Sequence, residues 1–186
     1  MVAADPRTAS LVLLVSTISA FWGLWEGLAY WSILSLMAVA WAAWALWKRI
    51  EIKTTSWVMV ATSLAAVPAL GLAGGPASWT FLEDILAPVL LYSLSLGTIA
   101  ATLGASKACG PRPMALMTTL GAISAGCIVL LSLYYLDALL STTYLTGNGA
   151  LMWPLSVLLL GTLLISAVVH ISGLENAIWE SKEVSG

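Results

Sequence analysis

Aromatic side chains gathered around a few carboxylates are the residues of this sequence best suited to hold a ligand. Residues 21–31 read FWGLWEGLAYW, so five aromatic residues surround the single carboxylate of Glu26. Aromatic faces attract organic cations, and carboxylates attract cations and metal ions. We therefore predict a substrate-binding surface for a small solute or ion, composed of Trp22, Trp25, Glu26, Trp31, Glu83, Asp84 and Asp137.

The same aromatic residues also have a purely structural interpretation. Trp and Tyr side chains are enriched where a membrane meets water, because their rings are amphipathic. An aromatic belt that anchors helices at the depth of the lipid headgroups needs no ligand. The sequence leaves both interpretations open.

A second candidate surface lies close to the basic segment 48–53, which reads KRIEIK. At about 1.5 Å per residue, Trp41 lies about 9 Å along a helix from Trp47, which is deeper than a simple aromatic belt. A flat aromatic surface at that depth would suit a quinone, a carotenoid or a partner helix. The candidate residues for this ligand or partner surface are Trp41, Trp44, Trp57 and His170.

Patterns for catalysis or metal binding are sparse. His170 is the only histidine, whereas haem between membrane helices usually takes two axial ligands, and zinc or copper takes several nitrogen or sulfur ligands. The two cysteines, Cys109 and Cys127, have no CxxC spacing. We therefore predict no catalytic residue and no metal site, and the cofactor stays unknown.

An intramembrane enzyme is the most distant alternative. The segment 169–173, which reads VHISG, resembles the histidine helix of the rhomboid-type intramembrane serine hydrolases. That resemblance implies a nucleophilic serine on an earlier helix. The serines of the corresponding apolar segment, Ser93 and Ser95, do not stand in a glycine-flanked Gly-x-Ser-x-Gly motif.

The composition identifies the elements that must position these residues as membrane helices. The chain of 186 residues is 60% hydrophobic and only 9% charged, against about 25% charged residues in soluble domains. The net charge of −2 gives no reason to expect a nucleic-acid partner. We predict an all-α polytopic membrane protein that forms one domain over residues 1–186.

Six apolar segments are predicted to cross the bilayer. A crossing needs roughly 20 residues, so the 40 residues from Thr8 to Trp47 must form a hairpin, and Trp25-Glu26-Gly27 is the natural turn. Residues 71–84 and 137–149 are predicted to be outer loops. The predicted spans are about 8–25, 29–47, 54–72, 85–105, 114–136 and 150–172.

The distribution of basic residues predicts the orientation. With six spans, all seven Lys and Arg residues fall on one side, which is the cytoplasmic side by the positive-inside rule. Both termini are therefore predicted to be cytoplasmic, with the protein in the cell membrane. These residues are Arg7, Lys48, Arg49, Lys53, Lys107, Arg112 and Lys182.

Small residues recur at four-residue spacing on the fourth and fifth spans. Such rows let helix backbones approach closely in lipid, so we expect them to pack within the bundle. A homo-oligomer, or a larger complex that forms through these faces, is the alternative. The rows are Gly97/Ala101/Ala105, Gly121/Ala125 and Ala122/Gly126.

Two functional hypotheses follow. The first is a non-enzymatic permeation or substrate-binding unit for a small solute or ion. The solute would enter it from the outer aromatic and acidic face. The second is a membrane-anchor or accessory subunit of a larger complex, for example a respiratory one, that contacts a quinone or pigment. A self-sufficient proton-coupled pump is disfavoured, because no predicted helix centre carries an acidic or basic residue.

Overall fold

The computed structural model describes residues 6–47, 58–66, 68, 79–103, 111–140 and 148–171, and the regular secondary structure within these ranges is all helical, without any strand. The predicted all-α class is therefore confirmed for the described residues. The helices are α1 (Pro6–Trp25), α2 (Ala29–Trp47), α3 (residues 58–66), α4 (Trp79–Leu103), α5 (Pro111–Leu140) and α6 (Asn148–Ile171).

Three of these helices are long and apolar enough to cross a membrane. Their apolar stretches are Tyr30–Trp47 in α2, Pro113–Leu139 in α5 and Leu151–Ile171 in α6. Helices α1 and α4 contain the shorter apolar stretches Ala9–Trp25 and Ile85–Ile99. The structure thus agrees with a membrane-associated helical bundle.

The predicted turn of the first hairpin is confirmed, and its backbone explains the position of Gly27. Helix α1 ends at Trp25 and α2 begins at Ala29. Gly27 has a φ of 75°, which a residue without Cβ adopts at little cost. The Leu28 N–H donates to Gly23 O at 2.8 Å and the Gly27 N–H donates to Leu24 O at 3.4 Å, which is the Schellman pattern that ends many helices.

Two predicted outer loops are partly wrong, because helices continue into them. Helix α4 begins at Trp79 instead of near residue 85, and α5 continues to Leu140 instead of ending near residue 136. Asp137 is therefore helical. The predicted boundaries were placed where each apolar run ends, but the backbone hydrogen bonds of a helix can continue into polar residues. The additional helical residues, 79–84 and 137–140, contain no Gly or Pro that would end the helix.

The helices pack as two units that meet along α2. Helix α1 packs mainly on α2, while α4, α5 and α6 pack on one another, and α2 also contacts α4 and α5. Small residues allow the close approaches. A Cβ at Gly126 would overlap Leu158, and one at Gly161 would lie 2.9 Å from the Pro88 ring.

Buried hydroxyl groups join the helices of each unit. The Ser19 Oγ accepts a hydrogen bond from Trp31 Nε1 at 2.9 Å and one from Ser35 Oγ at 3.2 Å, and it donates to the Leu64 carbonyl at 3.2 Å. These four residues are fully buried, so α1, α2 and α3 share one polar cluster. Thr119 Oγ1 similarly donates to Ser166 Oγ at 2.9 Å between α5 and α6.

Candidate ligand-binding cavity

A half-open cavity of about 310 Å³ lies where α2 meets α4 and α5. This volume is at the lower end of the range of about 300–1,000 Å³ that is typical of ligand pockets. It offers room for a ring system. The cavity is lined by Met37, Trp41, Leu91, Leu94, Ser95, Thr98, Ile99, Gly121 and Ala125.

Helical spacing explains why these residues share a cavity. Met37 and Trp41 are one turn apart on α2, and the five lining residues of α4 follow the i, i+3, i+4, i+7, i+8 pattern of one helix face. On α5, the wall is made by Gly121 and Ala125, whose short side chains leave the space unfilled. This small-residue pair, which predicted close packing, lies near α4 at Gly121 and also borders the cavity.

The indole of Trp41 is fixed at the edge of this cavity by two contacts with α4. Its Nε1 donates a hydrogen bond to Thr98 Oγ1 at 2.9 Å, and that hydroxyl donates to the Leu94 carbonyl at 2.8 Å. The six-membered ring of the indole lies directly over Gly97, where any Cβ would overlap it. Gly97 thus serves close packing between α2 and α4.

The chemistry of the lining favours a neutral ligand. No charged side chain belongs to the lining, and its hydroxyl groups are those of Ser95 and Thr98. Thr98 is already engaged, as described above. Within the described part of the chain, the Ser95 hydroxyl has no hydrogen-bond partner, and it lies 3.4 Å from the position that a Cβ on Gly121 would occupy.

The cavity lies well inside the helices that form it. Trp41 is about 9 Å along α2 from Trp47, the last residue of that helix, at about 1.5 Å per residue. On α4, Leu91 lies at the midpoint of the helix and Ile99 lies four residues before Leu103, and both belong to its described apolar segment. A ligand that reaches this depth must be compatible with an apolar environment.

The aromatic and acidic residues predicted to bind a solute do not form one surface. Trp25, which is 86% exposed, and Glu26 lie next to each other at the α1–α2 turn. Trp31 is fully buried in the α1–α2–α3 cluster, and Asp137 is only 7% exposed on α5. Trp22 is half-buried, and its Nε1 is buried without a hydrogen bond to any described residue.

The remaining two acidic residues of that set lie on α4. Glu83 and Asp84 are in the second turn of the helix that begins at Trp79, and their side chains lie outside the described part of the structure. Helix α4 therefore carries Glu83 and Asp84 near its N-terminal end, while the cavity-lining residues follow further along the same helix.

Among the described residues of the second predicted surface, Trp41 is the one that lines the cavity. Trp44 is half-buried against the core, Trp57 lies outside the described residues, and His170 is exposed on α6. Met37, Ser95 and Thr98 were not among the site residues predicted from the sequence. The signal that could have identified them is the helical spacing of Ser95 and Thr98 on the face that also carries Leu91.

Comparison of the chain with protein-family models, with curated proteins and with solved structures finds no match. The cavity itself is therefore the basis of the functional proposal.

Proposed function

We propose that this chain is a non-enzymatic membrane subunit that binds a neutral, lipid-soluble ligand in the cavity between α2, α4 and α5. Its setting would be a larger membrane complex, for example a respiratory one, and the ligand would be a quinone or a pigment. The proposal rests on an apolar cavity between helices that we propose to cross the membrane. The indole of Trp41, held by its hydrogen bond to Thr98, borders this cavity.

The proposal includes six transmembrane helices with both termini in the cytoplasm. Three helices long enough to cross and two shorter apolar helical stretches support this number. The helical residues 58–66 lie in the third apolar segment of the sequence. The orientation rests on the positions of the seven Lys and Arg residues.

The polarity of the cavity favours this function over transport of a charged solute through the same site. Burying an unpaired charge in an apolar environment is costly unless the charge is paired or hydrogen-bonded. The lining supplies two hydroxyl groups and one indole, together with aliphatic side chains. A ligand that is itself mostly apolar loses little on leaving the lipid and gains contact with these side chains.

Filling the cavity tests the proposal. The full chain and an Ala125→Phe variant would be purified in mild detergent from the same membranes, and bound small molecules would be extracted and measured by absorption and mass spectrometry. Ser124→Phe is the matched control, because Ser124 is exposed on the same helix and does not line the cavity.

We expect a lipid-soluble compound to co-purify with the wild-type chain and with Ser124→Phe, and to be lost from Ala125→Phe. Circular dichroism checks that all three proteins keep their helices. Equal amounts of every extracted compound in the three proteins would overturn the proposal, because the occupant would then not depend on the cavity. Co-purifying protein subunits, identified in the same preparation, would support the accessory role.

Permeation of a small solute or ion is a second candidate, supported by the adjacent exposure of Trp25 and Glu26. In reconstituted vesicles, Glu26→Ala or Trp25→Ala should then abolish uptake, and unchanged flux in both variants would refute it. A homo-oligomer through the small-residue faces also stays a proposal, although Gly97 and Gly126 are already covered within the bundle.

A further inference from the structure

We infer that the ligand of the α2–α4–α5 cavity carries a carbonyl oxygen that accepts a hydrogen bond from Ser95, as a quinone ring does. This inference rests on the proposed function and adds the chemical class of the ligand. It is drawn from how the hydroxyl and N–H groups in the cavity wall are already used.

Two of the three polar groups in the wall are committed to each other. Trp41 Nε1 donates its hydrogen to Thr98 Oγ1 at 2.9 Å, and Thr98 donates its own hydrogen to the Leu94 carbonyl at 2.8 Å. Neither hydrogen is left for a ligand. The remaining polar group of the wall is the Ser95 hydroxyl.

The situation of Ser95 differs from that of its neighbours on α4. Ser93 donates to the Val89 carbonyl at 2.7 Å, Thr98 to Leu94, and Thr102 to the Thr98 carbonyl at 2.9 Å. These are the usual bonds of a hydroxyl to its own helix. Ser95 makes no such bond to the described residues, and its hydroxyl faces the cavity wall at Gly121.

A hydroxyl hydrogen at membrane depth without an acceptor is costly, because water is scarce there. A ligand that brings a carbonyl oxygen satisfies it, whereas a plain hydrocarbon of the same shape does not. The rest of the lining is apolar, so the ligand combines a carbonyl with an apolar ring or chain. A quinone has this combination and needs no charged partner.

The test compares a quinone with a hydrocarbon of closely similar size and shape. Duroquinone is a fully methylated benzoquinone, so its ring has no position open for thiol addition, and durene is the hydrocarbon with the same ring and methyl groups. Binding of each probe to the full chain in nanodiscs would be measured by equilibrium dialysis, with empty nanodiscs subtracted. The variants are Ser95→Ala, Ser95→Thr, Ser93→Ala and Ala125→Phe.

We expect Ser95→Ala to weaken duroquinone binding about three- to tenfold, the effect of one neutral hydrogen bond, and to leave durene binding unchanged. Ser95→Thr retains a hydroxyl and should bind duroquinone like the wild type. Ser93→Ala removes a hydroxyl that bonds its own helix and should change neither probe. Ala125→Phe should abolish binding of both.

The outcomes separate the inference from the proposed function. If Ala125→Phe removes both probes but Ser95→Ala weakens them equally or not at all, the carbonyl contact is wrong and the apolar cavity stands. If neither probe depends on Ala125, the proposed function itself fails. A loss of duroquinone in Ser93→Ala as large as in Ser95→Ala would also overturn the inference, because the effect would then be on the helix.

Discussion

Replacement of Ser19 by alanine should loosen the unit formed by α1, α2 and α3, because the Ser19 hydroxyl is shared by three hydrogen bonds. It accepts from Trp31 Nε1 at 2.9 Å and from Ser35 Oγ at 3.2 Å, and it donates to the Leu64 carbonyl at 3.2 Å. All four residues are fully buried. Water therefore cannot replace the lost hydroxyl.

The expected magnitude follows from which partners can adapt. The indole N–H of Trp31 has a fixed direction and would be left without its acceptor, whereas the Ser35 hydroxyl can rotate toward a carbonyl of its own helix. Hydrogen bonds between membrane helices contribute about 0.6 kcal/mol on average and up to about 1.7 kcal/mol. An orphaned buried donor adds a desolvation cost, so we expect a loss of about 1–3 kcal/mol in the free energy of unfolding.

Ser16→Ala is the matched control for this change. Ser16 lies one turn away on α1 and is equally buried, but its hydroxyl donates only to the Val12 carbonyl of the same helix, at 2.6 Å. Loss of that bond should change the free energy of unfolding by less than about 0.5 kcal/mol. Both variants would be unfolded with SDS in mixed micelles and followed by far-ultraviolet circular dichroism.

Equal losses in the Ser19 and Ser16 variants would refute this reasoning. That result would mean that the cost comes from removing a buried serine from α1, whatever it contacts. A Ser19→Ala protein as stable as the wild type would equally show that the hydrogen bonds to Trp31 and Ser35 contribute nothing measurable.

Two further predictions concern glycines and use the same unfolding assay. Gly27→Ala should lower the free energy of unfolding by about 1–2 kcal/mol, because a φ of 75° is strained for a residue with a Cβ. No atom lies within 4 Å of the position that this Cβ would occupy, so the cost comes from the backbone and not from a clash. Gly27→Asn should lose less stability than Gly27→Ala, and equal losses would contradict a backbone cause. Gly97→Ala should cost about 1–3 kcal/mol by displacing the Trp41 indole. Gly121→Ala, whose Cβ makes ordinary contacts, should cost less than half as much, and the reverse order would contradict the packing described here.

Local features of the sequence were sufficient for the class of the protein and for its first hairpin. Scarce charges and long apolar segments predict membrane helices whatever their arrangement. The turn at Glu26 and Gly27 depends on a charge and a glycine between two apolar runs, and its Schellman hydrogen bonds are all local. For the same reason, the predicted start of α2 at residue 29 is confirmed.

Only the tertiary structure decided which face of each helix points inward. Membrane helices are apolar on nearly all sides, so hydrophobic periodicity does not distinguish a face toward lipid from one toward a neighbouring helix. Trp25 and Trp31 therefore looked equivalent in sequence, although the first is exposed and the second is buried on the Ser19 hydroxyl. The cavity beside Trp41 likewise exists only because α5 presents Gly121 and Ala125 there, and that rotation is set by packing between helices.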